Sequence, residues 1–198
     1  MEGNSMILAT SRVTHPYQLN YIAAVARQAE VNLLLLCGDV IINEDFIKEL
    51  SNINILMISG DEDDIHITKL AKKYNILLDG KIVEVDSVKI GGIGAINTFL
   101  DYSTIISSSE RIDVLLTHFP PYGCLDRRAP LYISSGLKSL HILLKTVKPY
   151  VTFIGHSSRS AVEYCEGTLA IGTPNLLVVA DSLRPRRVRF MPIGRTPI

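Results

Sequence analysis

The sequence has few cysteines and no excess of either charge. Its three cysteines, Cys37, Cys124 and Cys165, are an odd number without a C-x-x-C pair, which argues against a disulfide framework and against a zinc knuckle. A reducing, cytoplasmic location is the simplest expectation. Basic and acidic residues number 20 each, so the composition predicts no general affinity for nucleic acid or for an anionic membrane.

Long apolar runs and glycine-rich phosphate loops are absent as well. The longest apolar stretches, such as 31–37, are far too short to span a bilayer, so no membrane span is predicted. No G-x-G-x-x-G or G-x-x-x-x-G-K-[ST] motif occurs, which weighs against a nucleotide-binding module. Residues 1–5 precede a second methionine. The native start is therefore either Met1 or Met6, and the first five residues are either a tag or a disordered start.

The length of 198 residues predicts a single domain spanning 1–198. No repeat, low-complexity tract or linker divides the chain. One cationic cluster lies near the C-terminus, where it alternates with apolar residues, and it is predicted to be the solvent-facing side of a strand. The cluster consists of Arg184, Arg186, Arg187 and Arg189.

The apolar pattern predicts an α/β fold. Apolar strands alternate with helical patterns over the first two-thirds, which indicates a mostly parallel sheet covered by helices. Helices are predicted from Pro16, over 64–74, and over 137–147 with Ser134 or Ser135 as the cap. After Gly155 the strands follow one another in antiparallel style. The predicted strands are 6–10, 32–37, 55–59, 83–85, 89–93, 114–117, 150–154, 161–164, 168–171, 176–179 and 187–191.

Polar or metal-binding residues follow directly after five of these strands. In open α/β sheets, ligand sites lie at the carboxyl ends of strands, so these five segments together predict a functional site. The segments are Ser-Arg-Val-Thr-His at 11–15, Gly-Asp at 38–39, Gly-Asp-Glu-Asp-Asp at 60–64, Thr-His-Phe-Pro-Pro at 117–121 and Gly-His-Ser-Ser at 155–158.

The order of the segments resembles the motif series of the calcineurin-like metallophosphoesterases: D-x-H, G-D, G-N-x-D, H and G-H-x-H. The stretch LLTHFPPYG at 115–123 and Gly-Thr-Pro-Asn at 172–175 extend the resemblance over essentially the whole chain. The resemblance implies a four-layer αββα sandwich of two mixed sheets flanked by helices, with a dinuclear metal centre between the sheet edges. The strand pattern agrees with that architecture.

Only part of the implied metal centre is present. The positions of three ligands of the first metal hold Arg12, Thr14 and Ser158 instead. The positions of the second metal hold Asp39, Asp61, His118 and His156, and two carboxylates with two imidazoles are a set that binds a divalent ion. We therefore predict one metal ion, Zn, Mn or Fe, with a metal-free centre as the alternative.

Two further residues are catalytic candidates. Arg12 is predicted to supply positive charge where the first metal would lie and to bind phosphate bidentately; the alternative is a salt bridge to Asp39 or Asp61 that fills the site without metal. Glu62 stands where some family members have a histidine that acts on the leaving group. It can donate a proton only if burial raises its pKa, and a solvated carboxylate is the alternative. Asp63 and Asp64 are expected to cap the next helix.

These features predict a metallophosphoesterase-like protein, either a phosphodiesterase or a phosphatase, with a single-metal centre and a small phosphoester as its ligand. The alternative is a non-catalytic member of the family that serves as a binding or regulatory subunit for an unknown protein partner. Homo-oligomer formation is left open.

Overall fold

The computed structural model describes residues 6–128, 133–182 and 185–193, so Arg184 and the segment 1–5 lie outside the described residues. The helices are α1 (Pro16–Gln28), α2 (Glu44–Glu49), α3 (Ile65–Lys73), α4 (Thr98–Ser107) and α5 (Lys138–Val147). The strands are β1 (Ile7–Thr10), β2 (Leu33–Leu36), β3 (Asn54–Met57), β4 (Ile82–Val85), β5 (Val88–Ile93), β6 (Val114–Thr117), β7 (Arg127–Arg128), β8 (Ile133–Ser134), β9 (Val151–Ile154), β10 (Val162–Cys165), β11 (Thr168–Gly172), β12 (Leu176–Ala180) and β13 (Val188–Pro192).

Two mixed sheets form the centre of the fold. The first has the order β13-β12-β1-β2-β3, in which β1, β2 and β3 are parallel and β12 is antiparallel to both of its neighbours. The second has the order β10-β11-β9-β6-β5-β4, with a parallel centre and an antiparallel strand at each edge. The parallel strands place their carboxyl ends at one edge of each sheet.

Alternate residues of each strand enter different apolar layers. Leu8 and Leu34 lie in the cluster that packs α1, α2 and α3 onto the outer face of the first sheet. Ile7 and Leu33, their neighbours in the chain, lie with Phe153 in the cluster between the two sheets. A third cluster packs α4 and α5 onto the outer face of the second sheet. The predicted four-layer αββα sandwich is confirmed.

The helices agree only in part with the sequence prediction. The helix α1 begins at Pro16 as predicted, but α2 and α4 were not predicted. The predicted serine cap of α5 is wrong, because the helix begins after Leu137 without a side-chain cap and the Ser135 hydroxyl donates to the Asp126 carbonyl. In the described ranges, no helix combines the length and the apolar character that a membrane crossing needs.

Two of the three cysteines form a disulfide, contrary to the sequence prediction. Cys124, in the loop after β6, is bonded to Cys165 at the end of β10, with their Cα atoms 5.9 Å apart. Sequence spacing did not reveal this pair because 41 residues separate the two cysteines. Cys37 is free and buried, and burial raises the pKa of its thiol to about 12. The cytoplasmic location rested on the cysteine argument and stays a prediction.

Removing the disulfide is expected to destabilise the fold. For a bond that closes a loop of this length, the loss of unfolded-chain entropy corresponds to about 4 kcal/mol in the free energy of unfolding. Denaturant unfolding with and without a dithiol reductant measures the effect, and the double variant Cys124→Ala with Cys165→Ala is the control that should not respond to reductant. Equal unfolding midpoints for the oxidised and reduced protein would contradict the prediction.

Candidate metal centre

Four side chains from four strand ends meet between the two sheets. Asp39 and Asp61 follow β2 and β3 of the first sheet, whereas His118 and His156 follow β6 and β9 of the second. Each offers one oxygen or ring nitrogen, and these four atoms lie within 4.8 Å of one another. The structure therefore brings together all four ligands that the sequence predicts; that they hold a metal stays a prediction.

Glycines allow this convergence. Gly38 has φ +88°, and a β carbon there would lie 2.3 Å from His118 Nδ1. A β carbon on Gly60 would lie 2.0 Å from Asp39 Oδ1. Any larger residue at either position would push His118 or Asp39 out of place. The two Gly-Asp pairs of the sequence are therefore a steric requirement of the cluster.

His118 directs its Nε2 at the two carboxylates. Its Nδ1 lies 2.9 Å from the Cys37 carbonyl oxygen, which can only accept, so Nδ1 carries the hydrogen. The Asp61 backbone N–H donates to Nε2 over 3.4 Å. The same Nε2 lies 2.6 Å from Asp61 Oδ1 and 3.6 Å from Asp39 Oδ2. His118 Nε2 thus faces two carboxylate oxygens, whose negative charge a cation at this point would neutralise.

Asp39 has an oxygen without a hydrogen-bond partner. Its Oδ1 accepts the Glu62 backbone N–H over 3.0 Å, but its Oδ2 is buried and accepts no hydrogen bond within the described residues. The side chain is 1% exposed, and a buried carboxylate oxygen without a partner is costly unless a cation neutralises it. Together with Asp61, His118 and His156, Asp39 forms a set of two carboxylates and two imidazoles, which fits a divalent ion such as Zn, Mn or Fe.

Asp61 links the two imidazoles. Its Oδ1 lies 2.6 Å from His118 Nε2 and 3.0 Å from His156 Nδ1. Burial by itself raises the pKa of Asp61, but the hydrogen bonds and charges of His118 and His156 outweigh it, so the pKa lies below its usual value. The side chain is 39% exposed, and Asp61 is therefore the carboxylate of the cluster that faces solvent.

Arg12 closes the cluster on the side of the first sheet. Its Nη2 lies 3.0 Å from His156 Nε2. Because a guanidinium can only donate, His156 Nε2 accepts and Nδ1 carries the hydrogen toward Asp61. The distance from Arg12 Nε to Asp39 Oδ2 is 3.9 Å, at the outer limit of an ion pair. Arg12 and Asp39 both have φ 57°, a backbone region that few residues with a β carbon occupy.

Similarity to known proteins lies in the structure rather than in the sequence. No protein-family model matches the sequence, and no curated protein matches it. Solved structures do match. The protein TT1561 of Thermus thermophilus has a TM-score of 0.75 at 14% identity and covers 96% of this chain and 99% of its own. An archaeal phosphodiesterase has a TM-score of 0.56 at 16% identity, with coverages of 94% and 99%.

A third similar structure is GAP50, described as the anchor in the inner membrane complex of Plasmodium, with a TM-score of 0.56 at 11% identity and coverages of 96% and 89%. The strand orders and the four layers, together with the similarity to these solved structures, identify the fold. The chain has the calcineurin-like metallophosphoesterase fold. At identities this low, the structural similarity establishes the fold alone. The activity has to be inferred from the residues of the site.

Two positions of this metallophosphoesterase fold carry no metal ligand. The Ser158 backbone N–H and hydroxyl both donate to the Leu125 carbonyl oxygen, at 2.7 and 2.9 Å. Thr14 is exposed, and its backbone N–H donates to Gln18 Oε1. Neither residue type is a usual ligand for Zn, Mn or Fe, so the candidate ligands among the described residues are Asp39, Asp61, His118 and His156.

The acidic segment after β3 differs from its sequence prediction. Glu62 has an exposed side chain, which favours the solvated carboxylate over the buried proton donor. Asp64 caps α3 through the His66 N–H, but Asp63 does not. Asp63 instead accepts the N–H groups of Gly60 and Val40 at 2.6 and 3.1 Å, and so ties together the loops that carry Asp61 and Asp39.

Asp63 is the positioning residue that sequence reasoning missed. Burial raises its pKa to about 6, opposed by the hydrogen bond from Gly60 and assisted by the charge of Asp39. The signal for this role was its spacing, two residues after Asp61 in Gly-Asp-x-Asp, which places its carboxylate back over the turn. The prediction that Asp63 caps α3 overlooked this position of its carboxylate.

Proposed function

We propose that the chain is a metal-dependent phosphoester hydrolase with a single-metal centre held by Asp39, Asp61, His118 and His156. The observation that carries this proposal is the buried Asp39 Oδ2, which accepts no hydrogen bond and lies 3.6 Å from His118 Nε2. Both atoms face the position where a cation would be held. The shared fold with an archaeal phosphodiesterase supports phosphoester chemistry as the use of that cation.

The residues around such an ion have separate roles. A bound divalent ion supplies a Lewis acid and lowers the pKa of water. The Cys37 carbonyl fixes the tautomer of His118 through Nδ1. Arg12, 31% exposed at its side chain, binds the phosphoryl oxygens and stabilises the charge that they develop. Glu62 lies exposed at the solvent-facing rim and acts there as a solvated carboxylate rather than as the proton donor to the leaving group.

The hydrogen bond between Arg12 and His156 links metal binding to phosphate binding. A neutral imidazole has one lone pair, and in this structure the lone pair of His156 accepts from Arg12. If His156 held a metal ion through a ring nitrogen, Arg12 would lose this acceptor. Its guanidinium would then be available to phosphate oxygens.

The metal content of the protein tests this proposal. We expect one divalent ion per chain after incubation with Zn²⁺ or Mn²⁺ and removal of excess metal, together with metal-dependent hydrolysis of a generic chromogenic phosphodiester. His118→Ala is expected to lose both. His141→Ala is the matched control, because His141 lies on α5 near Glu166, 3.5 Å from it, away from the cluster. Two ions per chain, none, or hydrolysis unchanged in His118→Ala would contradict the proposal.

A second candidate function is a non-catalytic binding or regulatory subunit. The observation that favours it is the unbroken series of contacts from Arg12 through His156 and Asp61 to His118, which supplies positive charge to the cluster without metal. GAP50 shares the fold and is described as an anchor. Absence of metal uptake in the same experiment would favour this candidate.

A further inference from the structure

We infer that Asp61 makes the centre selective for singly charged phosphoesters, that is phosphodiesters, over doubly charged phosphomonoesters. This inference rests on the proposed function, since it assumes one divalent ion in the cluster. It concerns the substrate class, which the convergence of the ligands alone leaves undecided. Three features of the described residues carry it: the charge balance of the cluster, the exposure of Asp61, and the acidic rim beside it.

The charge balance comes from four groups. The cluster contains two carboxylates, Asp39 and Asp61, and one guanidinium, Arg12, while the two imidazoles are neutral as metal ligands. With one divalent ion, the centre carries a formal net charge of about +1. A phosphodiester has one negative charge and neutralises the centre. A phosphomonoester carries close to two above its second pKa of about 6 and leaves a negative excess.

Asp61 is the carboxylate of the cluster that lies closest to solvent, where an anionic ligand approaches. The Asp39 side chain is 1% exposed, whereas that of Asp61 is 39% exposed. Asp39 is therefore enclosed, and its charge is matched by the cation that it faces. The charge of Asp61 is directed in part toward the approaching ligand. A second negative charge on the ligand is repelled by a carboxylate that belongs to the metal site.

The chain next to Asp61 extends the negative surface. Glu62 and Asp64 are both exposed, and Asp64 is fixed in place by its cap bond to the His66 N–H at 2.9 Å. Arg12 supplies the positive charge on the opposite side of His156. An anion thus approaches between one guanidinium and an acidic segment, an arrangement that admits a monoanion more readily than a dianion.

Calorimetric binding of two matched, non-hydrolysable anions tests the inference. The probes are methyl(phenyl)phosphinate, a monoanion, and phenylphosphonate, used at a pH above its second ionisation; neither contains a P–O–C bond. Wild-type protein carrying one Zn²⁺ per chain is expected to bind the monoanion about tenfold more tightly, the effect of one charge at a partly solvated site. Asp61→Asn keeps an amide oxygen for the metal but removes the charge, and is expected to abolish or invert the preference.

Asp86→Asn is the matched control. Asp86 is exposed in the turn between β4 and β5, outside the acidic segment, and asparagine tolerates its φ of 50°, so this variant removes one surface charge without changing the cluster or its rim. Its preference is expected to stay within about twofold of wild type. Equal affinities or a dianion preference in the zinc-loaded wild type would overturn the inference and leave the proposed function standing. Failure of the wild type to take up zinc would overturn both.

Discussion

Asp39→Asn is expected to abolish stoichiometric metal binding while the fold is retained. The amide oxygen still accepts the Glu62 N–H in place of Oδ1. The amide nitrogen, however, replaces the unpartnered Oδ2 beside His118 Nε2 and directs hydrogens at the position of the cation. Loss of groups that only support a ligand typically costs about 10–100-fold in metal affinity, so we expect a loss above about 100-fold for this ligand.

Zinc titration calorimetry and metal content per chain measure this loss. Asp126→Asn is the matched control, because Asp126 is also a buried carboxylate with one oxygen that has no partner within the described residues. Its other oxygen accepts the N–H groups of Gly123 and Gly136, outside the cluster. Both variants bury the same amide, and only Asp39→Asn should lose metal. Wild-type affinity in Asp39→Asn would refute the ligand role of Asp39.

The positions of the four cluster residues could be predicted because they follow from strand geometry. An apolar strand that ends in Gly-Asp or in a histidine places that side chain at the carboxyl edge, and parallel strands place those edges together. Strand geometry therefore accounts for Asp39 beside Asp61 and for His118 beside His156, whereas the meeting of the two pairs was implied by the resemblance to the metallophosphoesterase motifs. The same reasoning predicts both sheets, since every β1 and β2 residue is buried and the runs are apolar.

Orientation and long-range pairing could not be predicted in this way. Nothing in the sequence pattern indicates that Arg12 donates to His156 and stays 3.9 Å from Asp39, because strand periodicity does not fix the direction of a long side chain in a loop. The disulfide depends on where the loop after β6 meets β10. The helix α4 was missed because it exposes Phe99 and Leu100, which obscures the expected apolar face.

Arg12→Ala is expected to change metal affinity and phosphate affinity in opposite directions. Removing the guanidinium removes the donor that occupies the His156 lone pair, so the zinc affinity of the cluster should rise, by about tenfold for one hydrogen bond to a charged group. Removing the same group deprives the phosphoryl oxygens of their cation. Hydrolysis of a chromogenic phosphodiester should then fall by about 100-fold at saturating metal.

The comparison with Arg12→Lys separates charge from geometry. Lysine keeps the positive charge but offers a single ammonium in place of the planar fork, so its hydrolysis rate should fall between those of wild type and Arg12→Ala. Zinc calorimetry on all three proteins decides the role of Arg12. Zinc binding that appears only in Arg12→Ala would mean that the guanidinium replaces the metal in the native protein. Unchanged zinc affinity and unchanged hydrolysis in both variants would mean that it neither competes for His156 nor contacts phosphate.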